Sequence, residues 1–173
     1  FAWEEFCDWY IEMVKVRLWN KEDETRDTAL AVLIYVLNNI LKLLHPFMPF
    51  ITEEIYCTVN EGVKTIMIEP WPVENSDYNF TEDENKAELI KEAVRAVRNV
   101  RSSMNVPPSH KAKGIVVSED EKIRDTFESA GDFFKQLAGL DKLIIDSDDS
   151  TVEKDSVRVA IPNASVYLPL REL

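Results

Sequence analysis

The chain has 173 residues, of which 45% are hydrophobic and 30% charged, with a net charge of −12. That length suits one ordinary domain or two small ones, and the acidic balance weighs against free-standing nucleic-acid binding by bulk electrostatics. There is no run of 18 apolar residues and no secretory leader, and Cys7 and Cys57 lack partners at metal spacing. A cytoplasmic protein with reduced thiols, no metal site and no membrane span is expected.

Apolar residues at three-four spacing (Trp3, Phe6, Tyr10, Met13, Val14) predict a helix over residues 1–18. No capping residue or initiating methionine precedes it, as expected of a piece cut from a longer chain. A charged loop, NKEDETRD, follows. Leu30, Leu33, Ile34, Leu37, Ile40, Leu41 and Leu44 form the apolar stripe of a second helix. His45-Pro46 ends it, because the residue before proline is pushed out of the α region. A third helix is predicted over about 49–59, since proline suits a first helical turn. Residues 62–80 lack helical period and hold Pro70 and Pro72, which reads as a long packed connection.

A fourth helix is predicted from a capping box, Thr81 with Glu84, to about Asn105, where Pro107-Pro108 breaks it. The period then changes. KGIVVS reads as a short strand, and Ser118 with Glu121 as a second capping box. One helical face of Ile123, Phe127, Ala130, Phe134 and Leu137 follows, then a strand at KLIID. SVRVAIPNASVYLPL reads as a hairpin turning at Pro162-Asn163. The predicted architecture is mainly α: a helical domain over 1–106, then a small β-α-β-β α/β subdomain of three or four strands over 107–173.

Candidate chemistry is sparse. The stretch LLHPFMPFITEEIY (43–56) gathers a histidine and two glutamates, but adjacent Glu53 and Glu54 point about 100° apart on a helix and cannot serve as an acid–base pair. Proline and phenylalanine there read as fixing the chain direction and filling core. DSDDSTVEKDSV from Asp146 departs from a calcium loop, with Thr151 at the glycine position and Val157 at the terminal glutamate position. No phosphate-cradling glycine loop and no His/Cys cluster is present.

One feature stands out. Lys91, Arg95, Arg98, Arg101, Lys111 and Lys113 face only Glu92 over residues 91–113, a local +5 in a chain of −12. Ile90, Val94, Val97, Val100 and Met104 cover the buried side of that helix, and Lys91, Arg95 and Arg98 lie within about 60° of one another on another. Arg101 falls at the edge of the apolar face. Such a stripe is either a solvated face or a phosphate-tracking one, to which Asn99 and Asn105 would add hydrogen bonds.

HPFMPFITEEIY (45–56), FCDWYIE (6–12), TIMIEPWP (65–72) and VRNVRSSMNVPPS (97–109), in this order and spacing, resemble the valyl-tRNA synthetase family of class I aminoacyl-tRNA synthetases. The likeness covers most of the chain and is weakest over 20–26 and 141–156. It implies a helical bundle of the anticodon-binding type, with its first helix lying before Phe1, leading toward a C-terminal coiled-coil arm. It further implies contact with tRNA(Val) and with a catalytic domain whose HIGH-like and KMSKS-like signatures this sequence lacks. ATP and Mg, valine activation and editing would belong to that other part, leaving this chain inactive alone and without a cofactor. The alternative is a scaffold between catalytic body and arm with little RNA affinity. An apolar groove left open on the helical half would favour self-association.

Overall fold

In the computed structural model, which describes residues 1–107 and 109–172 and no side chain for Glu172, the first turns are loosely wound. Ala2–Tyr10 is π-helical, and the Ile11 N–H reaches Phe6 O, five residues back. The chain continues without a break into α1, Ile11–Trp19. The predicted helix over 1–18 is therefore present, its first half in the wider form. The charged loop is closed by its own side chains. Asp23 Oδ1 accepts the Thr25 N–H at 2.8 Å, and Arg26 Nε–H donates to Leu18 O at 3.0 Å. Helices α2 (Arg26–Leu44) and α3 (Pro49–Val59) follow where the stripe and the proline place them.

Contacts divide the chain into two units, Phe1–Asn79 and Phe80–Leu173. The sequence reading sets the division at 106/107. The difference has a packing cause: the helix from Thr81 to Ser103 lays its apolar stripe on the strands that follow it.

In the first unit, α2 packs on α1 and α3. Leu41, Tyr56 and Ile66 form its buried cluster, ringed by Leu37, Ile55 and Val63. The Asn38 and Asn60 side chains exchange two hydrogen bonds of 2.9 Å between α2 and the end of α3. By length and composition alone α2 is apolar enough to cross a bilayer. One such helix is weak evidence, and this polar bridge and its helical neighbours mark it as a packed element of the unit.

The corner at 45–48 is built by polar contacts. Buried Thr52 donates from Oγ1 to Met48 O at 2.8 Å, so Nδ1–H of His45 is the donor in its 2.7 Å contact with Thr52. Phe47 and Phe50, expected in the core, are 82% and 90% exposed. They stand on either side of Pro49 at the start of α3, outside the face that meets α2. In residues 62–80 only Ile66 is buried, while Met67, Ile68, Trp71 and Val73 are exposed.

Glu53 anchors that connection. Its carboxylate accepts the Ile66 N–H at 3.1 Å. The Thr65 hydroxyl is the largest influence holding its carboxyl below the usual 4.5, with the Ile66 N–H and Cys57 thiol acting in the same direction. A carboxyl that titrates lower when folded contributes stability above its unfolded pKa and loses it as pH falls through the folded value. Glu53→Gln is therefore expected to flatten the acid limb of the first unit's stability below about pH 4.5. Unfolding midpoints measured across that limb check it, and an unchanged limb contradicts the assignment.

In the second unit, α4 (Thr81–Ser103) starts one residue earlier than a Thr81 cap implies, with Phe80 as N-cap. It ends in a Schellman turn: Val106 N–H reaches Arg101 O at 2.9 Å, and Asn105 N–H reaches Ser102 O at 3.0 Å. Asn105 takes the left-handed conformation this needs, with φ of 55°. The helix is thus stopped by Asn105 before Pro107; Pro108 lies outside the described residues.

Strands β1 (Ala112–Val117), β2 (Leu140–Asp146), β3 (Ser156–Ile161) and β4 (Ala164–Pro169) form one sheet in the order β2-β1-β4-β3. β1 and β2 are parallel, and the pairings of β4 with β1 and β3 are antiparallel. The parallel pair needs a long crossover. Two helices supply it, α5 (Glu121–Ser129) and α6 (Gly131–Ala138), in place of the single one predicted. Ala130, at φ −93° and ψ 2°, is the joint between them. Phe127 and Phe134 remain on one buried face, edge to face with ring centroids 5.2 Å apart.

The cap of α5 is Asp120, which accepts the Lys122 N–H at 2.9 Å. Ser118, expected as the cap, sits just past β1 and donates to Asn163 O at 2.8 Å, tying the predicted Pro162-Asn163 turn to the sheet. Val116, Val166 and Val159 lie side by side across β1, β4 and β3, all buried. Ile90, Ala93, Val94 and Val97 are the buried apolar side chains of α4, which packs on β3 and α6. Val100 is half-buried and Met104 exposed, so the predicted stripe fades at its C-terminal end.

Candidate nucleic-acid interface

The basic residues of 91–113 do not form one continuous face. Lys91 is buried, its Nζ 2.5 Å from Glu88 Oε2, and Arg95 Nη1 lies 3.0 Å from the other oxygen of the same carboxylate. Glu88 is held below the usual carboxylate range chiefly by Lys91 and then by Arg95. Lys113, on β1, pairs with Glu153 at 3.1 Å. Much of the local positive charge is thereby answered within the unit.

Arg101 is an internal group, 6% exposed. Its Nη1–H donates to Gly139 O at 3.2 Å, and its Nη2–H groups to His110 O at 2.5 Å and Pro107 O at 3.4 Å. The edge position read from the helical wheel is filled by the loop that follows α4 and by the end of α6. Gly139 closes α6 in the left-handed region at φ 71°, and a Cβ there would stand 3.3 Å from the guanidinium carbon of Arg101. Glycine serves both needs. Arg98 is anchored to the same helix end, its Nε–H donating to Leu137 O at 2.7 Å.

Arg98, Arg101, Asn105 and Lys111 come together around one open pocket of about 710 Å³. Half of the predicted residues thus meet at one place, at the turn after α4. Lys91, Arg95, Asn99 and Lys113 are not among its lining residues. Asn99 is exposed on α4. Asn105 acts first through its backbone, as the helix stop, and its side chain lines the pocket. The sequence reading missed the opposite wall, Gln136 to Gly139 at the end of α6. Gly139 was its only visible sign, as a glycine just after an apolar helical run. Among the described residues, no group of three or more His, Cys, Asp or Glu side chains could hold a metal ion.

Residues 1–116 match the family described as the anticodon-binding domain of tRNA ligase. The whole chain aligns with curated proteins named valine–tRNA ligase. It is 38% identical to those of Clostridium perfringens and Clostridium tetani, and 34% identical to that of Geobacillus stearothermophilus. All 173 residues are covered in each case, and the chain spans about a fifth of the length of each relative.

Proposed function

Because the chain belongs to the family of anticodon-binding domains of tRNA ligases, we propose that it recognises the anticodon region of tRNA(Val) for a cytoplasmic valine–tRNA ligase. On this reading the 1–106 segment acts as a helical bundle against the rest of the enzyme. Valine activation, with its ATP and Mg, takes place there and not in this chain. The names of the full-length relatives support the choice of tRNA.

The observation that carries an RNA role in the structure is the meeting of Arg98, Arg101, Asn105 and Lys111 at one pocket. RNA modules read splayed loop bases while cations and amides hold the backbone. Fluorescence anisotropy with tRNA(Val) and an unrelated tRNA tests the reading. Tighter, salt-sensitive binding of tRNA(Val) is expected, with affinity falling roughly 0.7–0.9 log units per log unit of salt for each phosphate neutralised. Equal binding of both tRNAs at low salt contradicts it. The exposed Leu30, Val32, Tyr35 and Leu43 of α2 extend the proposal to self-association of the isolated chain. Sedimentation as a strict monomer at high concentration excludes that part.

A further inference from the structure

We infer that the pocket at the end of α4 is an anion site, built to take a phosphodiester group of RNA between Arg98, Arg101 and Lys111. The RNA class of the ligand rests on the proposed function; the anion preference rests on the pocket itself. Three cations line it, and among the described residues its lining includes no aspartate or glutamate. In a chain with 32 acidic residues and 20 basic ones, that is a pronounced local inversion of charge.

The buried guanidinium of Arg101 is the centre of the inversion. Its partners are the neutral carbonyls of Pro107, His110 and Gly139, and among the described residues no carboxylate pairs with it. Carbonyl dipoles satisfy its N–H groups but leave its net charge, and a partly desolvated charge acts over a longer range than one in water. Its Nη groups hold the loop that leads into Lys111, while the Nε–H of Arg98 fixes the other cation to Leu137 O. Arg98 is thus tethered to backbone, which lowers the entropy lost when it closes on an anion. The pocket, at about 710 Å³, falls within the usual range for small-ligand sites, roughly 300–1,000 Å³.

Another groove of this unit makes the contrast. It lies beside β3 and β4 and is lined by Glu119, Asp120, Asp148 and Asp149 with Arg158 as its one cation. That surface repels phosphate. Elsewhere on the basic segment, Glu88 and Glu153 answer Lys91, Arg95 and Lys113.

The test uses the 173-residue chain and two probes. In an amide NMR titration, inorganic phosphate is expected to shift the amides of Asn105, Val106, His110, Lys111 and residues 136–139 selectively, and Lys111→Glu, an exposed substitution, is expected to abolish those shifts. With tRNA(Val), the double variant Arg98→Gln, Lys111→Ala is expected to lower the salt slope by roughly 0.7–0.9 units, one phosphate contact's worth. If tRNA(Val) binds and the slope is unchanged, the pocket is not a phosphate contact, while the anticodon-region reading stands. If phosphate shifts the pocket amides but tRNA(Val) shows no preference, the anion site stands and the tRNA reading falls. Phosphate shifts that are scattered, or equal in Lys111→Glu, overturn the inference outright.

Discussion

Replacing Arg101 with methionine is expected to destabilise the second unit by about 3–5 kcal/mol. Methionine keeps much of the aliphatic volume but removes the guanidinium's hydrogen bonds to three carbonyls and strands that of His110, while Pro107 O still accepts the His110 N–H and Gly139 O the Ala112 N–H. Charge-assisted hydrogen bonds of this kind contribute about 1.5–3 kcal/mol each, and partial rehydration of the carbonyls keeps the total below their sum. A urea melt followed by far-ultraviolet circular dichroism, with an unchanged m-value, is the measurement. Tryptophan fluorescence is the wrong probe, because Trp3, Trp9, Trp19 and Trp71 all lie in the first unit. A loss below about 1 kcal/mol would show that Arg101 is a surface cation that merely rests on the loop.

Phe134→Ala is expected to cost the same unit about 3–5 kcal/mol. The ring is fully buried on α6 and meets Phe127 of α5 edge to face, 5.2 Å away and at 79°. Truncation removes the transfer energy of the ring, opens a cavity and takes away the partner that helps hold the two short helices together across Ala130. Phe134→Leu, which refills most of that volume, should recover the larger part. The same melt tests both variants, and equal losses for Ala and Leu would mean that the pair's geometry matters more than its volume.

How much of this was legible in the sequence depends on the range of the interaction involved. Periodicity located α2 and α4, because an apolar stripe such as Leu37, Ile40 and Leu41 is written every three to four residues, and Pro49 located the start of α3. Local turn chemistry located the Pro162-Asn163 hairpin. What failed were competitions decided at a distance. Ser118 carries a capping pattern, yet its hydroxyl is drawn to Asn163 O, 45 residues on, and Asp120 takes the cap. The 106/107 boundary followed the change of period, whereas burial of Val94 and Val97 joins α4 to the sheet behind it.

The site shows the same division. Charge density flagged 91–113, but sequence could not tell which cations carboxylates would answer, since Glu153 approaches Lys113 from 40 residues away. Nor could it place Gly139 and Leu137 opposite α4, because only tertiary packing brings their carbonyls to Arg101 and Arg98. Of the histidine and two glutamates of the 43–56 stretch, His45 holds the corner through Thr52 and Glu53 holds the connection through Ile66.

The central claim is that this chain contacts the anticodon end of its tRNA through the pocket after α4. Anisotropy with two RNA hairpins, the anticodon stem–loop and the acceptor stem of tRNA(Val), tests it most directly, using the intact chain and its Lys111→Glu variant. The account predicts that the anticodon stem–loop binds more tightly than the acceptor hairpin and that Lys111→Glu removes most of this advantage. Equal affinity for the two hairpins, or an advantage untouched by Lys111→Glu, would contradict it.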